Sequence, residues 1–587
     1  MRARLVSAAT GPHATWPVTT VALLLGALFA CWLYGWRVLD PASHAWLLHG
    51  DPAQHYLGSV YFLGEPWHWP PGVINGFGAA PTSVVFTDSV PLFALAAKLL
   101  GVPAGWQYFG LWLLASHALV AASGAALLRR MGCYPLPAVL GAAFFTTAPM
   151  LLLRVYGHEA LQGQFLVVTA LALAFGPWRG WPWLLVVTAA VWVHPYLAAM
   201  VAAIATAATG AALAERRLDW RTLSWGGSVM LLAILGAAYL SGYFVGSGQF
   251  SAAGHGFFSA NLLTWLDPMD WADFLARFGR DVAQGREWSR LLPALGQATA
   301  GQYEGFAYLG AGTLALLAVA LMTGAARVAV RHGPVGVDVP SRWQWALVLA
   351  VCGGLALLAV SVRPTLGQRI LFELPLADAT QRLFGFFRAS GRFIWPLSYL
   401  LMAWAIARVA RLPGGPLWLL AGLLLQAYDL SDKFGELRDR FRHGPPGIAA
   451  EPVSVLWSPL LRACPRVELL LWPADDARWI TPGLAAARVG VPITPTPTAR
   501  PSPAAEVDQQ RALAQRRAGH DWRDDTVYVA PHEPVDARVA AGPGALRVDP
   551  PPGFVRHAVD DYDLFVPARC LPPSAGSFRS TGAVPWA

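Results

Sequence analysis

Charge is what this sequence has least of. Only 13% of its 587 residues are Asp, Glu, Lys or Arg, against roughly 25% in ordinary soluble domains. With 55% hydrophobic residues the chain does not read as a soluble fold. Lysine is nearly missing: 41 of the 43 basic residues are Arg, which reads as genomic bias and not as a binding code. Familiar catalytic signatures are also missing. There is no P-loop, no GxGxxG ahead of a helix, no CxxC pair, no HExxH and no GxSxG elbow. A nucleotide-driven pump, a redox enzyme and a zinc protease all lose support. No internal repeat suggests a transporter with inverted halves. Of five cysteines, Cys31, Cys133 and Cys352 sit in apolar stretches as packing residues.

What is abundant is long apolar runs, such as Thr19–Trp36, Tyr108–Leu128 and Gly226–Leu240. Each approaches the ~20 residues that cross a bilayer. The chain therefore reads as a polytopic α-helical membrane protein with about eleven transmembrane helices. These lie near 18–36, 106–128, 136–153, 160–177, 181–194, 196–214, 225–245, 306–328, 343–361, 392–411 and 413–430. The start, MRARLVSAAT, is basic, but the following run is too long for a signal-peptide core, so a retained signal anchor is expected. If Arg2 and Arg4 are cytoplasmic, Arg129/Arg130, Arg179, Arg216/Arg217, Arg327/Arg331 and Arg411 fall on the same side. That is the positive-inside pattern. The net charge of +8 is thus spent at span ends, and nucleic acid is not an expected partner. The inner loops are too short for a cytoplasmic nucleotide-sugar site. The segment 89–100 is apolar but short, which fits a re-entrant or interfacial piece, and His194-Pro195 separates two short spans.

Two domains follow: residues 1–430, a transmembrane unit whose first outer loop is 37–105, and residues 431–587, a small soluble α/β domain facing the periplasm. Short apolar runs (Val467–Trp472, Thr526–Val529) between turn residues mark its strands. The stretch 494–502, PTPTARPSP, reads as a loop or linker, and Cys464 and Cys570 can pair in an oxidising compartment.

The polar residues gather at the outer loops. The tract from Gly50 to Ser89 carries Asp51, His55, Glu65, His68 and Asp88 among Trp and Tyr, and ionisable groups at a membrane face are costly unless they have a task. A helix starting at Asp51 would present Asp51, Gln54 and His55 on one side. Two readings stand for Asp51: a helix cap followed by Pro52, or a carboxylate that takes a proton or binds a metal. For Asp88 the capping reading is favoured. His158, Glu159, Gln162 and Gln164 crowd one short connector, either a solvated turn or the wall of a substrate site. His194 is a weaker candidate, more often a packed side chain. Tyr303 and Glu304 stand at a bilayer edge, where Tyr is also an ordinary interfacial residue. Arg388 and Arg392, four residues apart on the outer side, run against the charge rule. Such arginines suit a phosphate or an ion pair with Glu373 or Glu304.

The tracts GDPAQHYLGSVYF, EPWHWP, FTDSVPL, QYFGLWLL, GQYEGFAYLG and FRASGRFIWP, with this layout, resemble the GT-C superfamily of integral-membrane glycosyltransferases. They look most like a bacterial branch, the DUF6311-type proteins, over roughly residues 20–430. The resemblance implies an inverting, polyprenyl-phosphate-sugar-dependent glycosyltransferase of the bacterial inner membrane, its N-terminus cytoplasmic. It would move a sugar to an envelope glycan or lipid acceptor on the periplasmic face, among membrane lipids. Asp51 best matches the superfamily's carboxylate in the first outer loop, with Asp40 as its competitor. Some branches use a divalent cation, Mg or Mn, and others none. The superfamily often pairs two acidic residues where this chain has Asp-Pro, which leaves the metal open. On this expectation Asp51 is the base, Arg388 and Arg392 meet the leaving phosphate, and Gln54, His55, His158, Glu159, Gln162, His194, Tyr303 and Glu304 hold or orient the substrates. The rival expectations are a lipid-linked glycan transporter or flippase and a non-catalytic envelope assembly protein.

Overall fold

The computed structural model describes residues 15–245, 254–277, 286–326, 339–445, 448–473, 476–499, 503–532, 548 and 550–571. Arg2, Arg4, Arg327 and Arg331 lie outside the described residues. Helices form within all eleven stretches picked out by hydropathy. Six are long and apolar enough to cross a membrane: Trp16–Tyr34, Phe109–Arg130, Pro195–Ala214, Trp220–Ser241, Arg342–Val360 and Ser390–Ala410. A seventh arises if Pro135–Thr146 and Pro149–Tyr156, bent by 42° at their junction, count as one. The other helices are short. Ala311–Ala325 and Gly415–Asp429 have 15 residues each, about 22 Å of rise against a hydrocarbon core of about 30 Å. The helix Pro91–Leu99 is shorter still, with nine residues.

Phe109–Arg130 is the central helix, packed between Thr15–Tyr34, Pro135–Thr146 and Phe165–Ala174. Close approach at its start needs glycine. A Cβ on Gly110 would lie 1.6 Å from the Val38 carbonyl oxygen, and Gln107 stitches the same place by donating to Val38 O and accepting from Gly110 N. We expect Gly110→Ala to destabilise the protein by about 1–3 kcal/mol through overpacking. A thermal scan in detergent checks this, and an unchanged midpoint would refute it.

The scarce lysines are both structural. Lys98 donates to the Phe62 carbonyl at 2.6 Å and lies over the Phe62 ring. Lys433 is wholly buried, 2.7 Å from Glu436 and 4.1 Å from the centre of the Trp271 ring. Lys433 belongs to the helix Ser431–His443. Phe434 and Phe441 of that helix pack edge-on against Phe29 and Tyr34 of the first helix.

Strands are few. Two small antiparallel pairs join β1 (Val73–Ile74) to β2 (Thr82–Ser83) and β3 (Thr365–Leu366) to β4 (Arg369–Ile370). The C-terminal region holds a five-stranded sheet of β5 (Arg466–Leu469), β6 (Ile493–Thr494), β7 (Thr526–Pro531), β8 (Phe554–Val559) and β9 (Tyr562–Pro567), in the order β6-β5-β7-β9-β8. The apolar runs read as strands are β5 and β7, which lie side by side in parallel. Cys464 and Cys570 form a disulfide, their Cα atoms 5.6 Å apart. The sheet is tied to the first loop: Phe77 bridges Ile493 in parallel, and the Tyr61 hydroxyl donates to the Val491 carbonyl at 2.8 Å.

Candidate functional site

The polar residues sit where helices stop. Asp51 and His55 occupy the first two turns of the helix Gly50–Gly64. Asp88 immediately precedes the helix Pro91–Leu99, and Arg154, His158 and Glu159 belong to the 3-10 turns after the helix break at 147–149. His194 separates Gly180–Val193 from Pro195–Ala214. Glu304 and Arg392 come from the 3-10 turns Ala300–Gly305 and Ser390–Ile394. Turns expose backbone polar groups and free the side chains from helix periodicity, so these residues can converge.

They converge on a cavity of about 350 Å³. Its polar lining is Asp51, Asp88, His158, His194, Glu304, Arg388 and Arg392, and its aromatic walls include Tyr196, Phe258, Tyr303 and Phe386. A larger groove of about 570 Å³ lies beside the first helix, but Arg438 is its sole ionisable group among the described residues. Ionisable groups are therefore far denser in the smaller cavity than in that groove.

Two charge clusters build it. In the first, Glu304 accepts from Arg392 Nη2 at 2.5 Å and Nε at 2.9 Å, and from Arg154 Nη1 at 2.7 Å. All three are buried. Burial alone would raise the Glu304 carboxyl, but Arg392 and Arg154 hold it well below the carboxylate range. In the second, His55 donates from Nδ1 to Glu159 Oε2, and its Nε2 stands 3.6 Å from Asp88. His158 Nδ1 is 3.8 Å from Asp88, and His158 Nε2 is 3.8 Å from Asp51 and 3.7 Å from Glu304. His194 Nε2 is 4.0 Å from Asp88, while its Nδ1 accepts from Tyr196 N. Burial would lower the His55 pKa, but Glu159, then Asp88 and Asp51, raise it to about 9. Burial would likewise raise Asp88, yet His158, His55 and His194 depress it.

Backbone geometry serves the second cluster. Asp88 and His158 both adopt left-handed conformations, with φ of 54° and 64°, which L-residues with side chains rarely take unless the surroundings impose it. Gly157 gives Asp51 room, since a Cβ there would lie 3.2 Å from its carboxylate oxygen. Trp112 Nε1 donates to the Glu159 carbonyl at 2.7 Å and fixes that turn from the central helix.

Several expectations need correction. Asp51 does not cap its helix, because His49 holds the cap position; its carboxylate, 58% exposed, faces the cavity. Asp88 does not cap either: Val90 precedes Pro91–Leu99 without a side-chain cap, and Asp88 stands among three histidines. Arg392 is not free for a phosphate, since it is committed to Glu304, the ion pair that the sequence left open. Glu304 is equally committed: its carboxylate is the counter-ion of Arg154 and Arg392 and not a partner for a sugar hydroxyl. Gln162 donates to the Leu151 carbonyl away from the cavity, and Gln164 binds Met150 O and the Tyr399 hydroxyl. Gln54 donates to Phe86 O at 3.4 Å and is not part of the lining. His55 and Glu159 lie behind the lining and not in it. Asp40 is exposed and accepts from Ala42 N, which removes it from the site. Arg388, His158, His194 and Tyr303 do line the cavity.

Sequence reasoning missed Arg154, whose position between two apolar helices was the available signal. The stretch 494–502, read as a loop or linker, has no helix or strand over its described residues 495–499, and it reaches the site. There Ala499 donates its backbone N–H to Phe86 O at 2.8 Å and forms part of the cavity wall.

No curated protein and no solved structure matches this chain. A family model, described as a domain of unknown function (DUF6311), matches residues 23–431. That match spans most of the chain and all of the ionisable groups of the cavity, so the chain belongs to the DUF6311 family.

Proposed function

We propose that this protein is a membrane glycosyltransferase, moving a sugar from a polyprenyl-phosphate donor to an envelope glycan or lipid acceptor at the periplasmic face. The observation that carries the reading is the pairing of an accessible carboxylate, Asp51, with an exposed arginine, Arg388, on one aromatic-walled cavity. Among the described residues no carboxylate forms an ion pair with Arg388, which packs over the Phe258 ring. Aromatic faces suit the apolar faces of a sugar ring. The eleven-span arrangement with a cytoplasmic N-terminus belongs to the same proposal. The disulfide Cys464–Cys570 supports an oxidising compartment for the C-terminal sheet.

In the proposed reaction Asp51 accepts the proton of the acceptor hydroxyl as that oxygen attacks the anomeric carbon. The bond from this carbon to the phosphate oxygen breaks, and its electron pair leaves with the polyprenyl phosphate. Arg388 meets the charge developing there. A phosphate monoester leaves without prior protonation, so one carboxylate base suffices. The test is transfer from polyprenyl-phosphate sugars into a cell-envelope extract by purified wild type and Asp51→Asn. Equal product from both would sink the role of Asp51. Translocation of the lipid-linked donor with no transfer would favour a flippase.

A further inference from the structure

We infer that His55, Asp88 and His158 bind one divalent transition-metal ion of the Zn2+ type at the base of the cavity. Their donor atoms all lie within 4.8 Å of one another. Glu159 accepts from His55 Nδ1, which leaves Nε2, the nitrogen that faces Asp88, as the one an ion would take in exchange for its proton. His158 turns its Nδ1 toward Asp88, while its Nε2 stands 3.8 Å from Asp51 and 3.7 Å from Glu304. A carboxylate bonded behind the ring, as Glu159 is behind His55, is what orients a histidine that ligates a metal through its other nitrogen.

Asp88 supplies a second, independent sign. It is only 8% exposed, and its carboxylate faces three histidines. The histidine nitrogens stand at 3.6, 3.8 and 4.0 Å. That is too long for a hydrogen bond but close to the separation of about 3.4 Å that donors keep around a tetrahedral ion with bonds of about 2.0–2.1 Å. A carboxylate held at these separations from several nitrogens leaves room for an ion between them. His194 is not a ligand, because its Nδ1 accepts from Tyr196 N and its Nε2 therefore carries a proton toward Asp88. Three protein ligands leave one position open toward the cavity, as in sites where a metal meets substrate or water. Two imidazoles with one carboxylate select a borderline ion such as Zn2+ over Mg2+, which prefers an oxygen octahedron.

The inference stands apart from the transfer reaction, because metal retention is read without donor or acceptor. The full chain, purified in detergent, is incubated separately with Zn2+, Mn2+ and Mg2+, desalted, and its metal content measured by mass spectrometry. Zn2+ should remain at one equivalent and Mg2+ should not. X-ray absorption of the zinc-loaded wild type should show a first shell of nitrogen and oxygen containing two imidazoles, a readout that needs no variant. His158→Ala, altering a partly exposed side chain, should lower zinc affinity at least tenfold, and Glu159→Gln by roughly 10–100-fold. Failure of the wild type to retain zinc would overturn the site, leaving a cluster bridged by protons alone. So would a first shell without imidazole, or unchanged affinity in folded His158→Ala.

Discussion

Glu304→Ala is expected to cost about 3–5 kcal/mol of folding stability, the scale for breaking a buried ion pair from one side. The carboxylate carries two arginines, Arg392 through a two-pronged contact and Arg154 through a single one, and all three groups are shielded from water. Removing it leaves two guanidinium charges in a low-dielectric setting, where each also repels the other. Arg154 packs against the Trp395 ring and Arg392 against the Tyr196 ring, but ring faces replace only a small part of a carboxylate's attraction. Fluorescence-detected thermal unfolding in detergent should place the variant far below wild type. Replacing Arg154 and Arg392 with Met in the Glu304→Ala background should recover much of the loss, because no uncompensated charge then remains. A Glu304→Ala midpoint close to wild type would refute the account. The sign with pH follows from the depressed carboxyl. Its stabilising contribution is present above the unfolded-state value and fades only as pH falls through the lower folded-state value. The deficit of Glu304→Ala should therefore persist unchanged at mildly acidic pH.

Asp51→Asn carries the second large effect, on rate and not on stability. A positioned general base contributes roughly 10²–10⁴-fold, so transfer should fall by that factor while the fold survives. The side chain is 58% exposed, and its partner His158 stands at 3.8 Å, beyond hydrogen-bonding distance, so little native structure depends on its charge. The amide keeps the shape and loses the basic oxygen. The loss should appear in kcat with little change in KM for the donor, because the proton moves only as the new bond forms. An unchanged kcat in a well-folded variant would remove Asp51 from the chemistry.

Helix locations were legible because apolar runs leave no alternative in a bilayer. Span count was less so. Hydropathy cannot distinguish a 15-residue helix enclosed by its neighbours from one that crosses lipid, and Ala311–Ala325 and Gly415–Asp429 illustrate this. Among polar residues, local spacing grouped Asp51, Gln54 and His55 on one helix face, and of these only Asp51 lines the cavity. It misread Asp88, since a carboxylate before a helix looks like a cap whatever its backbone angle. It could not rank Gln162 below His158, because both lie in the same polar connector and only their directions differ.

Composition and periodicity by themselves pointed to a helical membrane chain with its polar residues at helix ends and a small α/β region over 431–587. Both follow from short-range physics: apolar length, turn residues and strand-length runs. The tertiary structure alone decided which polar residues meet. Glu304 is 150 positions from Arg154 and 88 from Arg392, and His55 is 104 from Glu159. Such partnerships depend on how helices pack around Phe109–Arg130, and no local pattern encodes them.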